Sequence, residues 1–253
     1  MAPRLQDRVA LVTGASRGLG RSAALALAKE GAHVIAMART EGGLTELDDE
    51  IRSIGGSATL VPADIKDYDA IDRLGAEIFA RWKKLDILIG NAGILGKLTP
   101  IPHVDQKLWD DVMAVNVTAN YRLIRSLDPL LKASDAGRAV FVTSGLAQKC
   151  WAYWGPYSIS KAALEAMVKT YAAESQTTAV RVNCFSPGPT RTRMRSLAMP
   201  GEDPETLPHP DAVAAQIVPM CLSDFTSNGA VYKYASEGLF RQSHGLGTVA
   251  VRF

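Results

Sequence analysis

The chain alternates short runs of consecutive apolar residues with longer stretches in which apolar residues recur every three or four positions. The runs are rich in β-branched side chains and fall at 8–14, 33–38, 58–64, 85–91, 138–144 and 180–186, with a last short one at 230–234. The periodic stretches lie at 18–30, 41–54, 67–84, 105–133 and 157–175. Successive residues of a strand point to opposite faces, so a run apolar at every position is a strand covered on both sides. Amphipathic helices between such strands carry the chain back over the sheet and make the strands parallel. The pattern predicts an α/β fold, a doubly wound parallel sheet of about seven strands with helices on both faces. The alternation runs unbroken through residue 186, which favours one domain over 1–253 rather than two. The segment 187–210, rich in Pro, Thr and Arg, interrupts it and reads as a long substrate loop or lid. Residues 239–253 show no periodicity, and no element is predicted there.

The first strand–helix junction reads LVTGASRGLGRSAALALAKEG (11–31). Gly14 closes the strand in a tight turn, while Gly18 and Gly20 open the helix and let backbone come close. The free N–H groups and dipole of that helix end suit a phosphate. The spacing G-x3-G-x-G differs from the G-x-G-x-x-G dinucleotide fingerprint. TGASRGLG resembles the TGxxxGxG signature of the short-chain dehydrogenases/reductases of about 250 residues, whose fold is Rossmann-like. That resemblance implies cofactor contacts from Ser16, Arg17, Leu19 and the three glycines. An acid at the end of the second strand would bind the ribose 2′-hydroxyl of NAD. HVIAMART (33–40) has Ala38 and Arg39 there and no acid before Glu41. Arg17 and Arg39 are two forked cations suited to a 2′-phosphate, so NADP(H) is favoured over NAD(H). In LVPADI (60–65), Asp64 matches the residue that in the family bonds the adenine amino group, with Ile65 beside it. Asp67 is the better candidate to cap the helix that follows. Asn91, Ala92 and Gly93 of IGNAG resemble the family's NAG motif along the cofactor path.

The stretch CWAYWGPYSISKAALEAMVKTYAAE (150–174) holds three tyrosines and two lysines. Proline is favoured in the first turn of a helix, where its missing N–H is not needed, so a helix begins near Pro156. Tyr157 and Lys161 then share a face one turn apart, and Tyr153 is left in the preceding loop. A phenol titrates near ~10, and a neighbouring ammonium favours its phenolate. Such a pair can exchange a proton with an alcohol or carbonyl oxygen. Ser144, in VFVTSG, stands at the carboxyl end of the fifth strand, where doubly wound folds place ligands. Asn116 interrupts the apolar run of VNV. Asn116, Ser144, Tyr157 and Lys161 resemble the family's catalytic tetrad in order and approximate spacing. The resemblance implies that Tyr157 is the acid/base, Lys161 holds the nicotinamide ribose and lowers the tyrosine pKa, Ser144 orients the substrate oxygen, and Asn116 kinks its helix and anchors a relay water. FSPGPTRTRM (185–194) resembles the family's P-G-x-I-x-T segment with Pro187, Gly188 and Thr192 matching. Thr190 replaces the Ile whose backbone meets the nicotinamide carboxamide. PGPTRTRMRSLAMPGEDPE (187–205) is also similar to the YciK-like reductases of proteobacteria.

The substrate wall is expected from Ile94, Leu95, Leu146, Trp151, Tyr153, Trp154, Met194, Leu197 and Met199, which suits a hydrophobic ketone, alcohol or acyl chain. The aromatics among them suit a subunit interface equally, and the family's members are commonly homodimers or homotetramers. Arg191, Arg193 and Arg195 read as a solvated loop face. As substrate contacts they would suit an acidic or phosphate-bearing molecule, such as an acyl-carrier or CoA thioester. A net charge of +2 on 253 residues argues against a nucleic-acid or anionic-membrane partner. No apolar stretch approaches the ~18 residues of a membrane span. Cys150, Cys184 and Cys221 form no CxxC unit, which points to reduced, mostly buried thiols in a cytoplasmic protein without a metal site. The sequence thus predicts a small-molecule carbonyl/alcohol oxidoreductase. Its rivals are a 3-oxoacyl-(acyl carrier protein or CoA) reductase specifically, and a non-catalytic NADP(H)-binding regulator on the same fold. An extended epimerase or dehydratase is disfavoured by the glycine spacing and by the want of a further C-terminal substrate domain.

Overall fold

The chain enters at the middle of its sheet. β1 (Val9–Thr13) is buried along its whole length and pairs in parallel with β2 (His33–Ala38) on one side and β4 (Ile87–Gly90) on the other. The computed structural model describes residues 3–242 and 248–250. From β1 the chain runs outward through α1 (Gly18–Lys29), β2, α2 (Glu41–Ser53) and β3 (Ser57–Pro62), then returns by α3 (Tyr68–Trp82) to β4. It continues the other way through α4 (Gln106–Met113), α5 (Ala119–Lys132), β5 (Arg138–Val142), α6 (Leu146–Lys149), α7 (Gly155–Glu174) and β6 (Arg181–Ser186). After α8 (Arg193–Ala198) and α9 (Pro210–Ala215) come β7 (Val231–Lys233), β8 (Phe240–Gln242) and β9 (Thr248–Ala250). The strand order is β3-β2-β1-β4-β5-β6-β7-β8-β9. The first seven strands are parallel, and β8 and β9 are added antiparallel at the edge. Order reverses between β1 and β4, so the crevice at their carboxyl ends is where a ligand fits.

Two cores sandwich the sheet. Ala10 and Val12 of β1 face Leu27, Leu44, Leu47 and Val213 from α1, α2 and α9. Val9 and Leu11 face Ile71, Leu123 and Leu164 from α3, α5 and α7. This alternation within one strand is why every position of β1 had to be apolar. At the amino ends of the strands, away from the crevice, the fully buried Asp86 accepts from Val9 N (2.9 Å) and Ser134 Oγ (2.6 Å) and pairs with Arg8 and Lys84.

Three departures from the sequence pattern matter. The helix predicted over 105–133 is α4 and α5 joined by a π-helical segment, Ala114–Thr118. The π turn fits one extra residue into the helix and turns Asn116 inward. The segment 187–210 carries α8, capped by Thr192 accepting from Arg195 N (3.3 Å), and a 3-10 turn at Pro204–Thr206 capped by Asp203. Strands β8 and β9 fall where no element was predicted. At three residues each they are too short to show a period, and they form by pairing outward from the edge of β7.

Candidate active site

The glycine turn is built onto a seam between β1 and β4. Thr13 Oγ1 accepts from Asn91 N and Ala92 N, each at 3.0 Å, and Asn91 Nδ2 donates to Thr13 O at 2.9 Å. Gly14 has a left-handed φ of 66°. At Gly20 an added Cβ would lie closer than 3.0 Å to both the Gly14 carbonyl oxygen and Asn91 Nδ2. Only glycine fits there, so the loop and the amino end of α1 are pressed against Asn91. Gly14, Ser16, Arg17, Gly18, Leu19 and Gly20 all line one cavity of about 810 Å³, in the upper part of the ~300–1,000 Å³ range of ligand pockets.

Arg39, Asp64 and Ile65 line the same cavity beyond the carboxyl ends of β2 and β3. Arg39 Nη1 stands 3.7 Å from Asp64 Oδ2, both side chains well exposed. A pair of that kind contributes ~0–1 kcal/mol, so either partner is readily drawn to a ligand. Arg17 has no carboxylate partner among the described residues, and Asp67 caps α3 through Ala70 N (2.9 Å), as expected. An unengaged guanidinium, a weakly engaged one and a cradle that excludes Cβ atoms fit a phosphorylated dinucleotide.

Ser144, Tyr157 and Lys161 line the same cavity as the glycine turn, together with Asn91, Ala92 and Gly93, of which Asn91 and Ala92 pack against that turn. Helix α7 starts at Gly155, one residue before the expected position, with Pro156 in its first turn. Tyr157 is buried at 9% exposure. Burial raises its pKa above the ordinary phenol value, opposed by a hydrogen bond with Ser144. Lys161 contributes nothing resolved to this shift, its ammonium being turned to a backbone carbonyl. Lys161 Nζ donates to Val142 O at 2.7 Å and lies 5.9 Å from the centre of the Tyr157 ring. Burial pulls its own pKa down to about 8, opposed by Cys184 and Glu165. Cys184 is kept a neutral thiol by its burial, so the Glu165 carboxylate is the opposing charge that counts. Glu165 is itself buried and accepts from Thr143 Oγ1 at 2.8 Å. The sequence reading missed it, although it stands four residues after Lys161 on the same helix.

Asn116 does not line the cavity. It is fully buried one layer behind. Its Oδ1 accepts from Ile94 N at 2.8 Å, and Nδ2 donates to Ile94 O and to Ser160 Oγ, each at 2.9 Å. Ser160 Oγ in turn donates to Tyr157 O at 2.7 Å. One amide thus ties the loop after β4, the π turn and the first turn of α7 together. The other tyrosines stand apart: Tyr171 Oη donates to Asp128 Oδ1 (2.8 Å), and Tyr153 is exposed with a left-handed φ of 73°.

Pro187, Gly188, Thr190 and Thr192 form the wall facing the glycine turn, and a Cβ on Gly18 would touch Thr192 Cγ2 at 3.5 Å. Of the expected substrate wall, Ile94, Leu95, Leu146, Trp151, Trp154, Met194 and Leu197 line the cavity. Tyr153 does not, because its left-handed backbone turns it to solvent, and Met199 packs behind Leu146 and Trp154. Trp154 stacks edge-on against Tyr157 with ring centres 6.0 Å apart. Arg191 and Arg195 are held by Glu205 (2.8 Å) and Glu202 (2.5 Å) within residues 187–210, and Arg193, Arg195 and Lys149 line the cavity. Cys184 and Cys221 are buried, and Cys150 is exposed. Among the described residues no cluster of three or more His, Cys, Asp or Glu side chains could hold a metal ion, and no helix is long and apolar enough to cross a membrane.

Comparison with known proteins agrees with this geometry. Residues 8–203 match the family model described as short chain dehydrogenase. The uncharacterized oxidoreductase YciK of Escherichia coli K12 is 40% identical over 221 residues, 86% of each chain, in keeping with the resemblance seen at residues 187–205. A short chain dehydrogenase from Salmonella enterica serovar Typhi superposes with a TM-score of 0.89 at 37% identity, covering 92% of this chain and 98% of the other. One from Escherichia coli CFT073, complexed with NADPH, gives a TM-score of 0.84 at 37% identity over 91% and 98% of the two chains. The chain belongs to the short-chain dehydrogenase/reductase family of oxidoreductases.

Proposed function

We propose that the protein is an NADP(H)-dependent oxidoreductase that interconverts a carbonyl and an alcohol on a largely apolar substrate. The observation that carries this reading is that Ser144, Tyr157 and Lys161 line one cavity together with the glycine turn. The choice of NADP(H) is supported by Arg17 and Arg39 beyond β2 and by the NADPH held in the related Escherichia coli CFT073 protein. Backbone of Gly14, Ser16, Gly18 and Leu19 would hold the pyrophosphate, and Arg17 and Arg39 the 2′-phosphate. Asp64 and Ile65 would hold the adenine, and Asn91 to Gly93 with Thr190 and Thr192 the nicotinamide half. The bound cofactor supplies or takes up the hydride. Tyr157 Oη gives its proton to the carbonyl oxygen in reduction and recovers one in oxidation, while Ser144 Oγ donates to the same oxygen. Burial disfavours the phenolate of the free Tyr157. Lys161, anchored on Val142 O, would reach the nicotinamide ribose. Asn116 fixes the turn that carries Tyr157.

The test is NADPH oxidation against a panel of ketones and 3-oxoacyl thioesters. Turnover by the wild type that Tyr157→Phe abolishes supports the reading. Near-wild-type turnover by that variant refutes it. NADPH binding without turnover of any member would favour the regulatory rival.

A further inference from the structure

The cavity carries more positive charge than the cofactor reading uses. Seven Lys and Arg side chains line it against a single acid, Asp64, although the whole chain has a net charge of only +2. Arg17, Arg39 and Lys161 have roles above, Arg195 is neutralised by Glu202, and Lys233 is half-buried at the end of β7. Arg193, the first residue of α8, and Lys149, the last of α6, have none. Both are exposed at the cavity, and neither has a carboxylate partner among the described residues. The acids within the lid engage the flanking arginines instead, Glu205 with Arg191 and Glu202 with Arg195. Lys149 Nζ lies 5.4 Å from the centre of the Trp151 ring, a contact that steadies the cation while leaving its N–H donors free. The cavity also has an apolar cluster in its wall, Leu146, Trp154, Met194 and Ala198, of which Met194 follows Arg193 in the chain. Unpaired cations in a cleft with apolar walls focus a positive potential on whatever enters.

We propose that Arg193 and Lys149 recognise an anionic group, a carboxylate or a phosphate, carried on the substrate away from its reacting carbonyl. The guanidinium fork accepts either anion in a bidentate pair. The substrate class is then amphipathic, with an apolar segment against Leu146, Trp154 and Met194 and an anionic end at the two cations. The inference rests on the oxidoreductase reading.

The experiment uses the full chain with NADPH and two matched pairs of substrates. One pair is a medium-chain oxo acid and its methyl ester. The other is a 3-oxoacyl phosphopantetheine thioester and its uncharged N-acetylcysteamine counterpart. In each pair the readout is the ratio of kcat/KM for the charged over the neutral member. At least one ratio is expected to exceed about tenfold in the wild type, from one or two charge-assisted hydrogen bonds at a partly exposed site. The pair that shows it tells carboxylate from phosphate. That ratio should collapse in Arg193→Ala and in Lys149→Met, invert in Arg193→Glu, and weaken with added salt. Turnover with no preference for the charged member overturns the inference and leaves the oxidoreductase reading intact. So does a rise in the KM for NADPH in Arg193→Ala with the substrate ratio unchanged, because the cation would then serve the cofactor. Absence of turnover with any of the four removes the oxidoreductase reading, and the inference with it.

Discussion

Asn116→Ala separates a structural amide from a catalytic one. The wild-type side chain is fully buried and makes three hydrogen bonds, with Ile94 N, Ile94 O and Ser160 Oγ. Alanine leaves the Ile94 amide and carbonyl unpartnered in a half-buried loop and opens a small cavity. An orphaned buried polar group costs ~1–3 kcal/mol, and two at the lower end plus the lost volume give about 3 kcal/mol. For a chain of this size each kcal/mol moves Tm by roughly 2–4 °C, so calorimetry should show a fall of about 6–12 °C. Turnover should fall too, because Ser160 passes the constraint to the Tyr157 backbone, and a misplacement of about 1 Å costs on the order of a hundredfold. Asn116→Asp keeps an acceptor for Ile94 N but presents a second acceptor to Ile94 O, so it should be destabilised as well. A variant whose Tm stays within about 1 °C of wild type while turnover collapses would refute the structural account and return the side chain to the proton path.

Tyr157→Phe should lower kcat by ~10²–10⁴-fold while leaving NADPH affinity, read by fluorescence titration, nearly unchanged. Lys161 gives a pH signature. Burial lowers its pKa from 10.5 to about 8, so the native protein binds fewer protons than the unfolded chain between those values, and stability rises with pH across that window. Below about pH 8 both states carry the proton and the penalty is constant, roughly 3 kcal/mol at ~1.4 kcal/mol per pH unit. Lys161→Met should therefore melt above wild type at pH 7, with the gap closing towards pH 10. A gap independent of pH would refute this. Arg39→Ala should weaken NADPH about five- to thirtyfold and NADH less than about twofold, since an exposed phosphate contact contributes ~1–2 kcal/mol after the Asp64 pair is broken. Equal losses for both nucleotides would place Arg39 away from the 2′-phosphate.

The central parallel strands β1, β4 and β5 could be read in the sequence because each is buried along its whole length and runs largely apolar, whereas the half-buried β3 was legible only through the helices on either side of it. Gly14, Gly18 and Gly20 were legible for a similar reason, since a backbone constraint leaves one residue type. Tyr157 was legible through Pro156, which fixed the helix start and hence which tyrosine shares a face with Lys161. The π turn at Ala114–Thr118 was signalled only by Asn116, which interrupts the apolar run and which the family resemblance implies kinks its helix. The sequence there has no Gly or Pro, and the bulge forms because Asn116 finds Ile94 and Ser160 across the fold. The raised pKa of the free Tyr157 was not legible for a related reason. The spacing to Lys161 is written in the chain, but the depth of burial and the turning of the ammonium to Val142 O are not. Arg193 was indistinguishable from Arg191 and Arg195 until their partners in the lid were known.

The seam of Thr13, Asn91 and Gly20 holds the nucleotide end of the cavity with the same hydrogen bonds that join β1 to β4. The substrate end is assembled from other stretches of chain, α6 with the turn before α7, and the lid with α8. The two ends are therefore free to diverge separately. A lineage can exchange residues 146–154 and 193–199 without disturbing the cradle, whereas a single methyl group at Gly20 strikes the Gly14 carbonyl and the Asn91 amide on which the cradle is built. Variation in this chain's relatives should be sought at the first of these places and not at the second.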